Sequence, residues 1–328
     1  MDPITHAVVG LGTAALSGQP LTLTNPIYIG AALGAVAPDI DVLAARLNHL
    51  SFLKHHRGVS HSLPGILVIS FLIAAFLARQ FPGANFWSYW GWTFMGAFSH
   101  SLLDSLNSYG TQLWWPLKGK KWTGNLLVLF DPYLPLLFTL PMVSLPVPGN
   151  TSRIAVVLVS LYLGGRYRMK RQLASHLKKV LGLTDEDQVV VMPGRFGFAR
   201  WEFVIEGQKE FILGKINYYG LTISETVKLV KEQNLFTEHA LASSLGKFFS
   251  YFTPFLHAEY SREQGKHVVR LRDLRYMGRQ NKFLHTATVV ISDELQVLAS
   301  YLNAYREERV SPVDAEPLAL KAASLHGD

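Results

Sequence analysis

Three histidines fall within seven residues in the stretch Lys54-His55-His56-Arg57-Gly58-Val59-Ser60-His61-Ser62. An arginine lies between them, and an apolar run follows directly. Neutral imidazole is the commonest protein metal ligand, so the stretch points to a metal site at the edge of a hydrophobic segment. A plainer alternative is a polar, basic loop between two helices. Further donors stand at His6, at Asp39 and Asp41 behind Pro38, at His100 and Asp104, and at Asp131. His100 and Asp104 are four residues apart and share one helical face. Asp39-Ile40-Asp41 follows a proline at an irregular turn, so its carboxylates could bridge metals.

The chain has no cysteine, which leaves histidine, carboxylate and water as ligands and suits Zn²⁺, Mn²⁺ or Fe²⁺. The expected metal ligands are His6, Asp39, Asp41, His55, His61, His100 and Asp104, enough for one or two ions. A pair of ions about 3.5–4 Å apart clamps both oxygens of a phosphoester displacement, and a divalent metal lowers the pKa of water. Arg57 is the expected anion clamp, through its bidentate fork. His56 would handle substrate charge or proton transfer, and Asp131 completes the expected catalytic set. Asn107, Tyr109, Gly110 and Thr111 would support the ligands or touch substrate.

These residues need elements that bring them together. Residues 1–165 carry 13 charged side chains and residues 166–328 carry 42, and the first glutamate is Glu186. The first half is membrane-like, and the second resembles a soluble domain. Apolar segments at 4–18, 26–37, 63–77, 86–106, 126–147 and 154–165 predict about six helices. Some are short of the roughly 20 residues a bilayer needs, so tilted or half-inserted helices are expected. The first segment lacks the basic flank of a signal peptide. Basic clusters at 54–57, 118–121 and 166–171, set against nearly neutral loops at 19–25, 80–86 and 147–152, put the N-terminus and the second half on the cytoplasmic side. All five acidic residues of the first half (Asp2, Asp39, Asp41, Asp104 and Asp131) then fall at that face with the histidines. Ionisable groups at a membrane are costly unless paired or metal-bound. A transport path would spread them through the segments instead.

The expected fold is therefore a mainly α polytopic membrane domain followed by an α+β domain. Its parts are a membrane-embedded helical domain (1–165), a basic linker helix (166–182), a mostly antiparallel cytoplasmic α+β domain (183–305) and a flexible tail (306–328). Strands are expected at 189–192, 201–206, 209–216 and 268–274, with a closing strand at 285–291 and helices at 224–233 and 237–249. Gly207-Gln208 reads as a hairpin turn. His257, His267 and His285 are too widely spaced to read as ligands. The formal charge of +7 reads as attraction to an anionic membrane, because the basic residues flank apolar segments. No nucleic-acid partner is expected.

Four motifs together resemble a known family: Thr5-His6-Ala7, Pro38-Asp39-Ile40-Asp41, His55-His56-Arg57-Gly58-Val59-Ser60-His61-Ser62 and Ser99-His100 with Asp104. They are similar to those of the membrane-bound, metal-dependent hydrolases of the YdjM-like group, described as LexA-binding and inner-membrane-associated. The resemblance covers about residues 1–165. It implies a multi-pass inner-membrane protein with hydrolase activity. From the residues, the expected reaction is phosphodiesterase- or phospholipase-like hydrolysis of a lipid or lipid-linked substrate at the cytoplasmic face. The alternative is a non-catalytic membrane protein that binds metal or anchors the second half. The sequence leaves the oligomeric state open.

Overall fold

Polar caps placed just ahead of apolar runs start the first helices. Asp2 caps α1 (Pro3–Ala14) through the Thr5 amide at 2.9 Å, and Asn25 caps α2 (Pro26–Val36) through the Ile27 amide at 3.0 Å. Ser62 caps α4 (Leu63–Gln80) and Asn85 caps α5 (Phe86–Ser105), while a short α3 (His49–His55) precedes α4. Each cap satisfies an amide that the helix leaves free, and proline fits the first turn of α1, α2 and α4 because its missing N–H would be unpaired there anyway. The computed structural model describes residues 1–314 apart from 23, 47–48, 84, 145–147, 195–196, 276, 278–282 and 305–309.

Small residues let α2 and α5 approach at backbone distance. A Cβ added at Gly96 would lie 2.1 Å from the Ala31 carbonyl oxygen, and one at Gly34 would lie 2.2 Å from that of Thr93. Neither neighbour is a side chain that can swing away. Gly96→Ala should therefore separate the helices and cost about 1–3 kcal/mol, read as a lower thermal midpoint of the purified protein in detergent. An unchanged midpoint would show that the contact is not tight.

Among the described residues, two stretches are long and apolar enough to cross a bilayer, Pro26–Leu43 and Leu63–Gln80, of 18 residues each. The expectation of about six is corrected to these two, for identifiable reasons. The helix α1 and the 3₁₀ turn Ala15–Ser17 together have only 15 residues, about 22 Å against a core of about 30 Å. Helix α5 has 20 residues but carries His100, Ser101, Asp104 and Ser105, all buried. In the fifth segment Asp131 caps a helix that begins only at Tyr133, α6 (Tyr133–Ser144). The sixth belongs to a longer helix, α7 (Pro148–Val180), which continues through the basic cluster, so residues 166–180 are its second half rather than a separate linker. Exposed Val68, Leu72 and Phe76 on α4, with Val157 and Leu161 on α7, leave a large apolar surface on this region.

The second part of the chain is α/β with two sheets. Strands β1 (Gln188–Pro193), β2 (Arg200–Glu206), β3 (Glu210–Asn217) and β4 (Thr222–Val230) lie side by side in sequence order. The expected turn joins β2 to β3, with the Gly207 amide bonded to the Glu210 carbonyl at 3.0 Å. The expected helix at 224–233 is a correction: that stretch is largely β4. Its β-branched Thr222, Ile223, Thr226, Val227 and Val230 suit a pleated surface, and that preference prevails over Glu225, Lys228 and Leu229. The expected helix at 237–249 is two helices, α8 (Leu235–Ala242) and α9 (Ser244–Phe252). Ser243 leaves the helical region at ψ 164° and caps α9.

The second sheet is an antiparallel meander of β5 (Leu256–Glu263), β6 (Lys266–Asp273), β7 (His285–Ile291), β8 (Val297–Ala304) and β9 (Val310–Asp314). The strand expected to close the fold, β7, is central in it. Part of the expected flexible tail is β9, and residues 315–328 lie outside the described residues. His257, His267 and His285 are buried in this sheet. The chain divides into two units, Met1–Ile205 with Leu213–Val227, and Glu206–Ile212 with Lys228–Asp328.

Candidate metal centre

Four elements of the first unit deliver the donors. Helix α1 carries His6 in its first turn. The 3₁₀ stretch Ala37–Arg46, which extends α2, carries Asp39 and Asp41. A single 3₁₀ turn, Val59–His61, carries His61, and the last turns of α5 carry His100 and Asp104. The close α2–α5 contact sets the distance between Asp39 and the α5 pair.

Asp39, His61, His100 and Asp104 each offer one ligand atom within 4.8 Å of the others. The Nε2 atoms of His61 and His100 are 3.0 Å apart. Asp39 Oδ1 lies 3.4 Å from the first and 3.5 Å from the second, and Asp104 Oδ2 lies 3.8 and 3.9 Å from them. His61, His100 and Asp104 are completely buried.

The surrounding hydrogen bonds assign the tautomers. His100 Nδ1 is 2.6 Å from the Ala35 carbonyl oxygen, which can only accept, so Nδ1 carries the proton and Nε2 presents a lone pair. His61 Nδ1 faces Ser60 Oγ at 3.0 Å and Asp41 Oδ2 at 3.3 Å. A proton on that nitrogen leaves a second lone pair facing the first. Asp39 Oδ1 and Asp104 Oδ2 are buried without a hydrogen-bond partner. Four acceptors thus converge with no donor among them, an arrangement that is costly alone and fits a divalent cation. The same acceptors also attract a proton. Burial works to lower the His61 pKa, but hydrogen bonding to Asp39 and Asp41 outweighs it and raises the group above its ordinary value.

Asp41 accepts from four directions: His56 Nδ1 at 2.7 Å, the Arg57 amide at 2.8 Å, Ser60 Oγ at 2.8 Å and His61 Nδ1 at 3.3 Å. Carboxylate–histidine contacts of this kind fix ring orientation around metals. Burial holds the His56 pKa below its ordinary value, against the pull of Asp41. Asp39, Asp41 and His56 also form a second, partly exposed group able to hold an ion.

The loop reaches this shape through a left-handed residue. Arg57 has φ +62°, a conformation that costs a non-glycine residue of order 1 kcal/mol and recurs at functional sites. The Arg57 carbonyl accepts from the Gln112 amide at 3.0 Å, and Lys121 Nζ donates to the His56 carbonyl at 2.8 Å. The Arg57 side chain is buried, with Nε 2.9 Å from Asp104 Oδ2 but without hydrogen-bond alignment. The Met1 amine also contacts Asp104.

His6 is brought in at the edge: its ring stacks on His100 at 3.7 Å, and Nε2 lies 3.4 Å from Asp104 Oδ1. Asn107 donates to Asp104 at 3.4 Å and accepts from the Tyr109 and Gly110 amides. Two expected residues are not brought in. His55 is exposed, with Nδ1 2.8 Å from the Ser51 carbonyl, because the last turn of α3 points it away from Asp41. Asp131 serves structure: it caps α6 and accepts from Tyr162 Oη at 2.6 Å. Sequence reading assigned no role to Ser60 or to the Ala35 carbonyl. Ser60 precedes a ligand histidine, which is a usable signal, whereas a backbone carbonyl carries none.

A buried His/Asp cluster able to hold a metal thus lies in a helical region that has, among the described residues, two stretches long and apolar enough to cross a membrane. The chain belongs to the YdjM inner membrane protein family, whose profile matches residues 1–173. This bears out the family expected from the motifs. The profile of the YfhP C-terminal alpha/beta plait domain matches residues 236–312. The chain is 27% identical to YfhP of Bacillus subtilis (strain 168), described as uncharacterized, over 322 residues that span 94% of this chain and 97% of that protein. It is 32% identical to the inner membrane protein YbcI of Escherichia coli (strain K12) over 113 residues, 34% of this chain and 64% of that protein. No solved structure matches the chain.

Proposed function

We propose that the protein is a membrane-embedded metal-dependent hydrolase that cleaves a phosphoester or related bond of a lipid or lipid-linked substrate at the cytoplasmic face. The observation that carries this reading is the convergence of Asp39 Oδ1, His61 Nε2, His100 Nε2 and Asp104 Oδ2 on one buried point. Zinc suits two imidazoles and two carboxylates, with manganese or iron as alternatives. A divalent metal held there supplies Lewis-acid polarisation and lowers the pKa of water. A second ion has Asp39, Asp41 and His56 available.

The chain's own groups do the rest. Asp41 and Ser60 hold the His61 ring, and the Ala35 carbonyl holds that of His100. Asp41 is thus a positioning residue in this reading as well as a possible ligand of a second ion. His6 shields the Asp104 side. Arg57 neutralises Asp104 and has the fork geometry to receive a phosphate oxygen. His56, tied to Asp41, is the group suited to proton transfer. The positive-inside pattern supports a cytoplasmic C-terminal domain.

The second reading is a non-catalytic metal centre that anchors the α/β part. The complete burial of His61, His100 and Asp104 favours it, since structural sites are closed and catalytic sites keep an open position. The test is elemental analysis of the purified full chain, with hydrolysis assays on a panel of phospholipids and lipid-linked phosphates, for the wild type and for His100→Ala/Asp104→Ala. Bound metal with metal-dependent turnover, both lost in the variant, is the expected result. Bound metal without turnover on any substrate selects the second reading. Absence of metal, with stability indifferent to chelator, overturns both.

A further inference from the structure

Helix α7 carries a stripe at alternating spacings of four and three: Val157, Leu161, Gly164, Arg168 and Arg171. These positions share one helical face. All five are exposed. The stripe changes from apolar to basic at Gly164. A cleft of about 560 Å³ opens there, lined by Gly164, Tyr167, Arg168, Arg171 and Gln172.

Two other basic residues of the helix, Arg166 and Lys170, turn another way and are used. Arg166 donates to the Leu126 carbonyl at 3.0 Å and to the Phe198 carbonyl at 2.7 Å, with its guanidinium 4.1 Å from the Trp201 ring. Lys170 donates to the Gly124 carbonyl at 2.8 Å. Among the described residues no carboxylate is paired with Arg168 or Arg171. Arg171 lies 6.0 Å from the ring of Tyr167, itself a residue type suited to the headgroup layer. Gln172 is held from the side by Tyr218 Oη at 2.6 Å. A side chain at Gly164 would meet nothing within 4 Å, so the cleft is open at its apolar end.

We propose that this cleft binds the phosphate of an anionic phospholipid, with the acyl chains along Val157 and Leu161 and the phosphate between Arg168 and Arg171. Two unpaired guanidiniums beside an apolar stripe match a ligand with an anionic head and a hydrocarbon tail, and the aromatic ring sits at the level of the head. The site stands apart from the His/Asp centre and does not depend on it.

The experiment uses the full chain in phosphatidylcholine nanodiscs with a minor fraction of phosphatidylglycerol. It measures the phosphatidylglycerol retained after detergent extraction by mass spectrometry. It also measures the thermal shift given by phosphatidylglycerol, phosphatidylcholine or inorganic phosphate. Wild-type protein should retain phosphatidylglycerol and be stabilised by it. Arg168→Gln/Arg171→Gln should bind it about 30-fold more weakly, equivalent to about 2 kcal/mol at about 1.4 kcal/mol per tenfold. Gly164→Leu keeps both charges and fills the cleft, and should also lose retention. Both variants are exposed substitutions, and circular dichroism checks that they fold. Undiminished retention by the double variant overturns the site. Loss in the double variant alone, with Gly164→Leu unaffected, reduces it to diffuse surface attraction. A shift from inorganic phosphate equal to that from lipid makes it a free-anion site, which also overturns the lipid assignment.

Discussion

His61→Ala is expected to abolish divalent-metal binding at the proposed centre. The substitution removes one of four converging ligand atoms, and the remaining three have no replacement on the same turn. Loss of an outer partner alone lowers metal affinity about 10–100-fold, so loss of the ligand itself should exceed about 100-fold. Asp41→Asn provides the internal scale, because Asp41 touches His61 Nδ1 at 3.3 Å and leaves all four converging atoms in place. It should fall within the 10–100-fold range. Titration calorimetry on chelator-treated protein measures both, and elemental analysis checks the untreated samples. Circular dichroism confirms that the helices persist, which they should, since their caps and the α2–α5 contact do not involve His61. Metal retained stoichiometrically by the alanine variant would remove His61 from the site. Equal losses in the two variants would make both residues structural.

Arg57→Ala should have the largest effect on stability. Asp104 is wholly buried, and the cations beside it are Arg57 and the Met1 amine. Removing Arg57 takes one of these two cations from a wholly buried carboxylate, at a cost of up to about 3–5 kcal/mol. The loss should be smaller with metal present, because a bound cation beside Asp104 takes over the neutralisation and binding stabilises the folded state by mass action. Thermal melts of wild type and variant, each with chelator and with added zinc, measure this. The expected pattern is a lowered midpoint in chelator that recovers partly with zinc, by more than the wild type gains. A variant that melts like the wild type in chelator would mean that Arg57 does not neutralise Asp104. A drop that zinc leaves untouched would mean that no metal sits there. Arg57→Lys keeps the charge without the fork, so it should preserve stability while impairing substrate handling in the proposed hydrolase.

Much of the candidate site was legible because metal chemistry restricts residue types. His6, Asp39, His61, His100 and Asp104 stand out in an apolar half whose other acidic residues are only Asp2, Asp41 and Asp131. Spacing of four placed His100 and Asp104 on one face, and they are on one face in the structure. The sequence reads His55 as a ligand and His56 as a proton-transfer group, whereas His55 is exposed and His56 is the one bonded to Asp41. They are adjacent and alike, and the choice depends on where α3 ends and on the left-handed turn at Arg57. Asp131 was equally ambiguous, since an aspartate before a proline can be a reactant or a helix cap, and only its bonds from the Tyr133 and Leu134 amides identify the cap.

The fold divides in the same way. Hairpin glycine, β-branched runs and capping residues act over a few neighbours, so β1, β2, β3, β6, β7 and the starts of α4 and α5 were readable. Strand β4 was not, because its composition also suits a helix and its partner β3 decides the outcome. Six apolar segments reduce to two candidate spans among the described residues, because a run of apolar composition does not register where a helix stops or which face it buries.

By itself the sequence determined the kinds of donor, the elements that carry them and the charge asymmetry between the halves, all of which follow from local chemistry. Only the tertiary structure decided that Asp39, His61, His100 and Asp104 meet. The distance from Asp39 to His100 and Asp104 is set where Gly34 and Gly96 let α2 and α5 touch backbone to backbone, and His61 is brought to them by the turn that follows the left-handed Arg57.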